Sequence, residues 1–113
     1  MHTMLGAPSS AALAANMHQI AQLGFDIHVS EVDVRILDSD PPSSLVSQAS
    51  IYYGIVDACL SEPRCIGITA WGIYDGLSFI PSHFPGYGRG LPLDTAFAPK
   101  PAFFSIAQRL LTP

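Results

Sequence analysis

Apolar residues near the start of the chain recur at the spacing of a helix. Successive members of the run stand four, three and three positions apart, which places them on one helical face: Leu13, Met17, Ile20 and Leu23. The sequence Pro-Ser-Ser before this run is typical of a helix start, and Gly24 after it is typical of a helix end. The pattern therefore predicts a helix over residues 9–23.

The pattern then changes to alternation with a period of two. Phe25, Ile27 and Val29 alternate with polar residues, as expected for a β-strand near residues 26–31. A second short run of β-branched and small residues predicts another strand at residues 66–71.

Between these strands lies the clearest helical pattern of the chain. A polar, proline-containing loop at residues 38–42 is followed by Ser43 and Ser44, either of which can cap a helix. The apolar stripe of this helix consists of Leu45, Ala49, Tyr52, Val56 and Cys59.

The last third of the chain combines a long loop and one more helix. Residues 76–99 are rich in glycine and proline and read as an irregular loop, of a length that is usually functional. Pro101 fits the first turn of a final helix that carries Phe104, Ala107 and Leu110. The order helix, strand, helix, strand, loop, helix predicts an α/β fold with a parallel sheet and helical crossovers.

Composition and charge exclude several classes of function. The 113 residues have a net charge of −4 and only five Lys and Arg, so no basic surface is available to neutralise nucleic-acid phosphates. No run of eighteen apolar residues is present, which argues against a membrane-spanning segment. Apolar residues make up 49% and charged residues 12%, a composition that favours a piece of a larger fold.

Both predicted strands end in residues suited to chemistry. Glu31 and Asp33 share strand parity with Ile27 and Val29, so we expect all four on the interior face of the sheet. A carboxylate on such a face is costly unless it is paired or functional. The alternative is that Glu31 marks the exit of the strand into solvent. Trp71 ends the second strand and suits either a core position or a platform for a sugar ring.

Several segments together resemble the C-terminal part of a glycoside hydrolase family 10 endo-1,4-β-xylanase. The resemblance includes Ser-Glu-Val-Asp at residues 30–33, Trp-Gly-Ile-Tyr-Asp at residues 71–75 and Pro-Lys-Pro-Ala at residues 99–102. His-Thr-Met-Leu-Gly at residues 2–6 and the loop at residues 81–88 also match. The resemblance implies the last two to three strand–helix units of a (β/α)8 TIM barrel over residues 1–113, because a complete barrel needs roughly 250 residues.

The resemblance also implies roles for individual residues. Glu31 corresponds to the catalytic nucleophile, supported by His2 and Asp33, and retaining glycosidases use such a carboxylate together with a second carboxyl group about 5 to 5.5 Å away. His2 and Trp71 correspond to substrate-binding residues, with Phe79 where the family usually has a second tryptophan. No segment resembles the Asn-Glu motif of the acid/base residue, so this group is expected outside the chain. The expected substrate is xylan or xylo-oligosaccharide, with no cofactor and no metal.

Cys59 and Cys65 fall where many members of the family have a disulfide. Their spacing, with Pro63 between them, allows a bridge between helix and strand but equally allows two unpaired thiols. A bridge would indicate an oxidising compartment, in line with a secreted parent enzyme, and residues 1–20 contain no signal peptide.

Two further interpretations concern other classes of site. The first is a non-catalytic carbohydrate-binding or interaction module that keeps Trp71 and Phe79 as a binding surface. The second is a metal site formed by His28, Glu31 and Asp33, which the predicted parity places on two different faces of the strand. His18 falls on the first helix, where we expect it to be exposed.

Overall fold

The computed structural model describes all 113 residues, in which strands and helices alternate. The elements in chain order are β1 (His2–Met4), α1 (Ser10–Gln22), β2 (Ile27–Leu37), α2 (Ser44–Ser61), β3 (Cys65–Ala70), α3 (Ile80–His83), β4 (Tyr87–Gly88) and α4 (Pro101–Leu111). No helix is both long enough and apolar enough to cross a membrane.

The strands β1, β2 and β3 form a parallel sheet in that order, as the sequence predicts. β4 pairs in antiparallel fashion with the end of β2. The outer edges of β1 and β3 have no partner strand, so the sheet is an open arc of a barrel. An apolar groove of about 390 Å³ lies between α2, β3 and α4, and it is lined by exposed residues such as Ile66. The chain is thus an incomplete (β/α)8 barrel.

The main core lies between the sheet and the helices. Val32 and Val34 of β2 pack there against residues of α1, α2 and α4, including Met17, Tyr52 and Ala102. α1 begins as predicted, because the Ser9 hydroxyl accepts a hydrogen bond from the amide of Ala12 at 3.2 Å. Ser43 caps α2 without a side-chain hydrogen bond.

The predicted parity of β2 is wrong because the strand contains a bulge at Glu31. Three residue steps on β2, from Val29 to Val32, face only two steps on β3. Glu31 has a φ of +57°, and this extra residue reverses which side chains face the helices. Val29 therefore packs in the same cluster as Val32, on the helix side, with Ile27 against it. Neither shares the face of Glu31 and Asp33, contrary to the prediction from the sequence.

Two further elements differ from the prediction. The expected irregular loop at residues 76–99 contains the short helix α3 and the strand β4. In α4, Phe104 and Leu110 are exposed, whereas Ala102 is completely buried and Ile106 packs against the core. Apolar residues occur on more than one face of α4, so their spacing alone does not identify the packed face.

Candidate active site

His2 joins two carboxylates at one end of the sheet. Its Nε2 lies 3.0 Å from Oε2 of Glu31, and its Nδ1 lies 2.5 Å from Oδ2 of Asp33. β1 brings the ring there because His2 and Asp33 are partners in the register of β1 and β2. Each ring nitrogen of His2 thus faces an oxygen of a different carboxyl group.

Asp33 is the buried anchor of this cluster. Its side chain is completely buried, and burial raises the pKa of the Asp33 carboxyl, an effect that the hydrogen bond and the charge of His2 oppose. Its second oxygen, Oδ1, has no hydrogen-bond partner in the protein. The contact with His2 therefore offsets part of the cost of burying the Asp33 carboxyl group, and it fixes the orientation of the ring.

The bulge presents the carboxylate of Glu31 at the open end of the sheet. Its side chain is 47% exposed, in contrast to Asp33 two residues later. The neighbouring backbone is held on both sides, because the amide of Asp33 donates to the carbonyl of Met1 at 3.2 Å and the amide of Trp71 donates to the carbonyl of Val32 at 2.9 Å. A non-glycine residue with positive φ that is fixed in this way is a common feature of functional sites.

Aromatic side chains surround the same cluster. The ring of His2 lies 4.9 Å from that of Phe79 and 6.2 Å from that of Trp71, measured between centroids. Trp71 is 44% exposed, so part of its side chain is accessible to a ligand. The structure therefore brings together His2, Glu31, Asp33, Trp71 and Phe79, the residues singled out in the sequence.

Gly72 gives the backbone after Trp71 its course. Its φ is +122°, and a Cβ at this position would lie only 2.8 Å from Cδ1 of Leu91. Leu91 is completely buried, so it has little freedom to move away. A glycine directly after Trp71 is thus required by both conformation and space.

Cys59 and Cys65 form a disulfide, with a Cα–Cα distance of 5.2 Å. The bond connects the last turn of α2 to the first residue of β3, the strand that leads to Trp71. The structure therefore selects the bridge over the two unpaired thiols.

The ring of His83 lies 4.9 Å from that of Phe79, between centroids, whereas His28 and His18 have other partners. His28 contacts Thr69 at 2.8 Å through Nε2, and His18 is exposed on α1 and contacts Glu62 at 3.2 Å. No group of three or more His, Cys, Asp or Glu side chains is arranged to hold a metal ion. The metal interpretation of His28, Glu31 and Asp33 has no support in this arrangement.

Sequence reasoning missed three polar residues that support the site. Gln48 is completely buried in α2 and donates to the carbonyls of Val34 and Arg89. The guanidinium of Arg35 lies 4.0 Å from the ring centroid of Phe84. Lys100 is buried beside Asp75. A buried Gln or Lys has no signature in a single sequence, because both residue types are usually exposed.

A bulged carboxylate, a buried aspartate and exposed aromatic rings lie at the end of the parallel strands, where (β/α)8 barrels carry their active sites. The model of glycosyl hydrolase family 10 matches residues 1–109. The chain therefore belongs to glycosyl hydrolase family 10.

Relatives and solved structures agree with this assignment. The chain is 39% identical over 98 residues to endo-1,4-beta-xylanase A of Fusarium oxysporum, a match covering 87% of this chain and 30% of that protein. It is 33% identical over 106 residues to endo-1,4-beta-xylanase C of Phanerodontia chrysosporium, covering 94% of this chain and 27% of the relative. Xylanase 10B from Thermotoga petrophila, solved in complex with xylobiose, superposes with a TM-score of 0.93 at 35% identity, covering 97% of this chain and 34% of that one. The chain thus spans about a third of the length of the proteins it matches.

Proposed function

We propose that this chain carries the nucleophile side of the active site of a retaining endo-1,4-β-xylanase, with Glu31 as the nucleophile. The observation that carries the proposal is the contact of His2 with both Glu31 and Asp33 beside the rings of Trp71 and Phe79. It places an accessible carboxylate next to surfaces that can hold a sugar.

The contacts suit a nucleophile that must stay ionised. Oε2 of Glu31 accepts a hydrogen bond from His2, which leaves Oε1 free to attack the anomeric carbon. As the bond between this oxygen and the sugar forms, the glycosidic C–O bond breaks, and the leaving oxygen takes a proton from an acid. Water then hydrolyses the resulting ester with the same group acting as base, so that the sugar keeps its configuration.

The acid/base carboxyl is expected outside this chain. Retaining glycosidases place it about 5 to 5.5 Å from the nucleophile, and the only other glutamate, Glu62, lies at the far end of α2. The open edges of β1 and β3 and the apolar groove beside α4 provide surfaces for the rest of a barrel, which we infer to be the partner of this chain.

Trp71 and Phe79 are proposed to bind the sugar. Xylose units present apolar C–H faces that can stack on an indole or a phenyl ring. The xylobiose named for the Thermotoga petrophila structure is a ligand of this chemistry, which supports xylan or xylo-oligosaccharide as the substrate class. The disulfide supports a secreted parent enzyme, because such bonds persist in oxidising compartments.

The test uses a completed barrel, made by joining this chain to the preceding part of the catalytic domain of Fusarium oxysporum endo-1,4-beta-xylanase A. Glu31→Gln should reduce kcat on xylan to background, because the amide keeps the size of the side chain but cannot act as the nucleophile. Glu62→Gln is the matched control and should keep normal activity, since Glu62 contacts His18 and Arg64 away from the cluster. Normal hydrolysis by the Glu31→Gln variant would refute the assignment. Binding of xylo-oligosaccharide without hydrolysis by the unsubstituted barrel would favour the non-catalytic module instead.

A further inference from the structure

A buried ion pair lies behind the proposed sugar platform. Nζ of Lys100 lies 2.8 Å from Oδ2 of Asp75, and the two side chains expose only 6% and 7% of their surface. Burial lowers the pKa of Lys100, an effect that the hydrogen bond and the charge of Asp75 oppose. Two charged groups are therefore removed from water at a point four residues after Trp71.

Both members of the pair also hydrogen-bond to the backbone of residues 89–91. Nζ of Lys100 also donates to the carbonyl of Arg89 at 2.6 Å. Oδ1 of Asp75 accepts from the amide of Leu91 at 2.9 Å.

This segment in turn supports the backbone that follows Trp71. Leu91 covers Gly72 so closely that a Cβ there would lie 2.8 Å from its Cδ1. The amide of Leu93 donates to the carbonyl of Ile73 at 3.1 Å, which ties the two stretches together a second time. The course of residues 71–75 therefore depends on where residues 89–93 are held.

We propose that Lys100 and Asp75 are positioning residues for substrate binding, which hold the turn after Trp71 so that the indole faces the sugar. The inference rests on the proposed function, because it takes Trp71 as a sugar-binding residue. Neither charged group touches the cluster of His2, Glu31 and Asp33. The pair should therefore govern binding of the substrate rather than the chemical step.

A role in positioning explains why the pair is charged. Replacing a buried ion pair by apolar groups of similar volume is often neutral or stabilising, so stability alone gives little reason for it. The charges instead allow two backbone groups, one acceptor and one donor, to be held at fixed positions. This restraint is directional, which apolar packing is not.

The test compares variants of the completed barrel by steady-state kinetics on xylo-oligosaccharides. Lys100→Met should raise KM roughly three- to tenfold, the factor expected for the loss of about one well-placed contact, while kcat stays within about twofold. The single variant leaves the charge of Asp75 buried and unpaired, whereas the double variant Asp75→Asn/Lys100→Met removes both charges at nearly constant volume, so we expect the double variant to fold. It should show the same rise in KM.

The matched control is the ion pair of Arg109 and Asp57, which joins α4 to α2 with an Nε–Oδ1 distance of 2.6 Å. The variant Asp57→Asn/Arg109→Met should leave KM unchanged. An unchanged KM in the double variant at Lys100 and Asp75, with any loss confined to the amount of folded protein, would overturn the proposal. Glu31→Gln tests the nucleophile through kcat and the Lys100 variants test the platform through KM, so failure of one assignment is distinguishable from failure of the other.

Discussion

His2 and Asp33 face each other across β1 and β2, with Nδ1 and Oδ2 2.5 Å apart. Asp33 is completely buried, whereas the other nitrogen of the ring points to the half-exposed Glu31. The buried Asp33 thus holds His2, and His2 in turn contacts the exposed carboxylate of Glu31. Both the stability and the activity of a completed barrel should depend on it.

Asp33→Asn should make the completed barrel more stable than its parent at neutral pH. Because burial raises the pKa of Asp33, folding favours the protonated carboxyl. The resulting stabilisation is present below the ordinary carboxyl pKa and is lost as the pH rises through the raised pKa of the folded state. Asparagine carries no charge at any pH. The Tm of the Asp33→Asn variant should therefore exceed that of its parent clearly at about pH 7 and only slightly at about pH 3.

The control for this comparison is Asp26→Asn, since Asp26 is 59% exposed in its pair with Arg64. The same Asp33→Asn variant should lose activity, roughly 10- to 100-fold in kcat, because His2 is no longer held by a charged partner. A variant that loses stability at neutral pH, or that keeps full kcat, would contradict the account of Asp33.

Gly72→Ala should disturb the completed barrel more than Gly86→Ala. Both positions have positive φ, +122° and +85°, but a Cβ at Gly72 meets Leu91 at 2.8 Å while nothing lies within 4 Å of one at Gly86. The cost common to both variants is conformational, about 1 to 3 kcal/mol, and the additional cost at Gly72 is steric. Thermal unfolding and KM measure the two effects, and equal losses in both variants would show that Leu91 does not restrain the turn.

The disulfide should stabilise the fold only modestly. Cys59 and Cys65 are six residues apart, and closing so short a loop contributes about 2 kcal/mol by the chain-entropy estimate. Urea unfolding with and without reductant measures this contribution. The variant Cys59→Ser/Cys65→Ser is the control and should not respond to reductant. An equal response of both proteins would mean that the bridge is not formed in solution.

The sequence predicts most of the alternation of helices and strands but not the bulge that determines the site. The period of two in Phe25, Ile27 and Val29 continues to Glu31 and Asp33 without a break in the sequence. Only the pairing of β2 with β3 shows that one residue is extra, because a bulge arises from the register between two strands. The prediction thus placed Glu31 and Asp33 together by assuming unbroken strand parity from Ile27 onwards, which the bulge interrupts.

Other misses have a similar origin in tertiary contacts. Lys100 stands in the Pro-Lys-Pro run before α4 and has no sequence signal for burial, since its partner Asp75 lies 25 residues earlier. Phe104 and Leu110 of α4 are exposed although both are apolar. In an incomplete barrel, a side chain that belongs to the core of the whole fold can remain uncovered, so periodicity alone assigns the wrong face.

The isolated 113-residue chain should not hydrolyse xylan at a measurable rate. The proposed mechanism requires an accessible second carboxyl group to protonate the leaving oxygen, whereas Asp33, which shares His2 with Glu31, is completely buried. Reducing-sugar release from xylan by the purified chain, compared with the completed barrel, checks the prediction. Retaining hydrolysis by the chain alone would show that the proton donor lies within it.

The most direct measurement of the central claim is covalent trapping of the nucleophile. A xylobioside with fluorine at C2 and a good leaving group slows hydrolysis of the glycosyl ester more than its formation, so the intermediate accumulates. In the completed barrel, peptide mass spectrometry should find one 2-fluoroxylobiosyl group on the peptide that contains Glu31. The Glu31→Gln variant should carry no such group. A label on any other residue, or normal turnover with no covalent label, would contradict the assignment of Glu31 as the nucleophile.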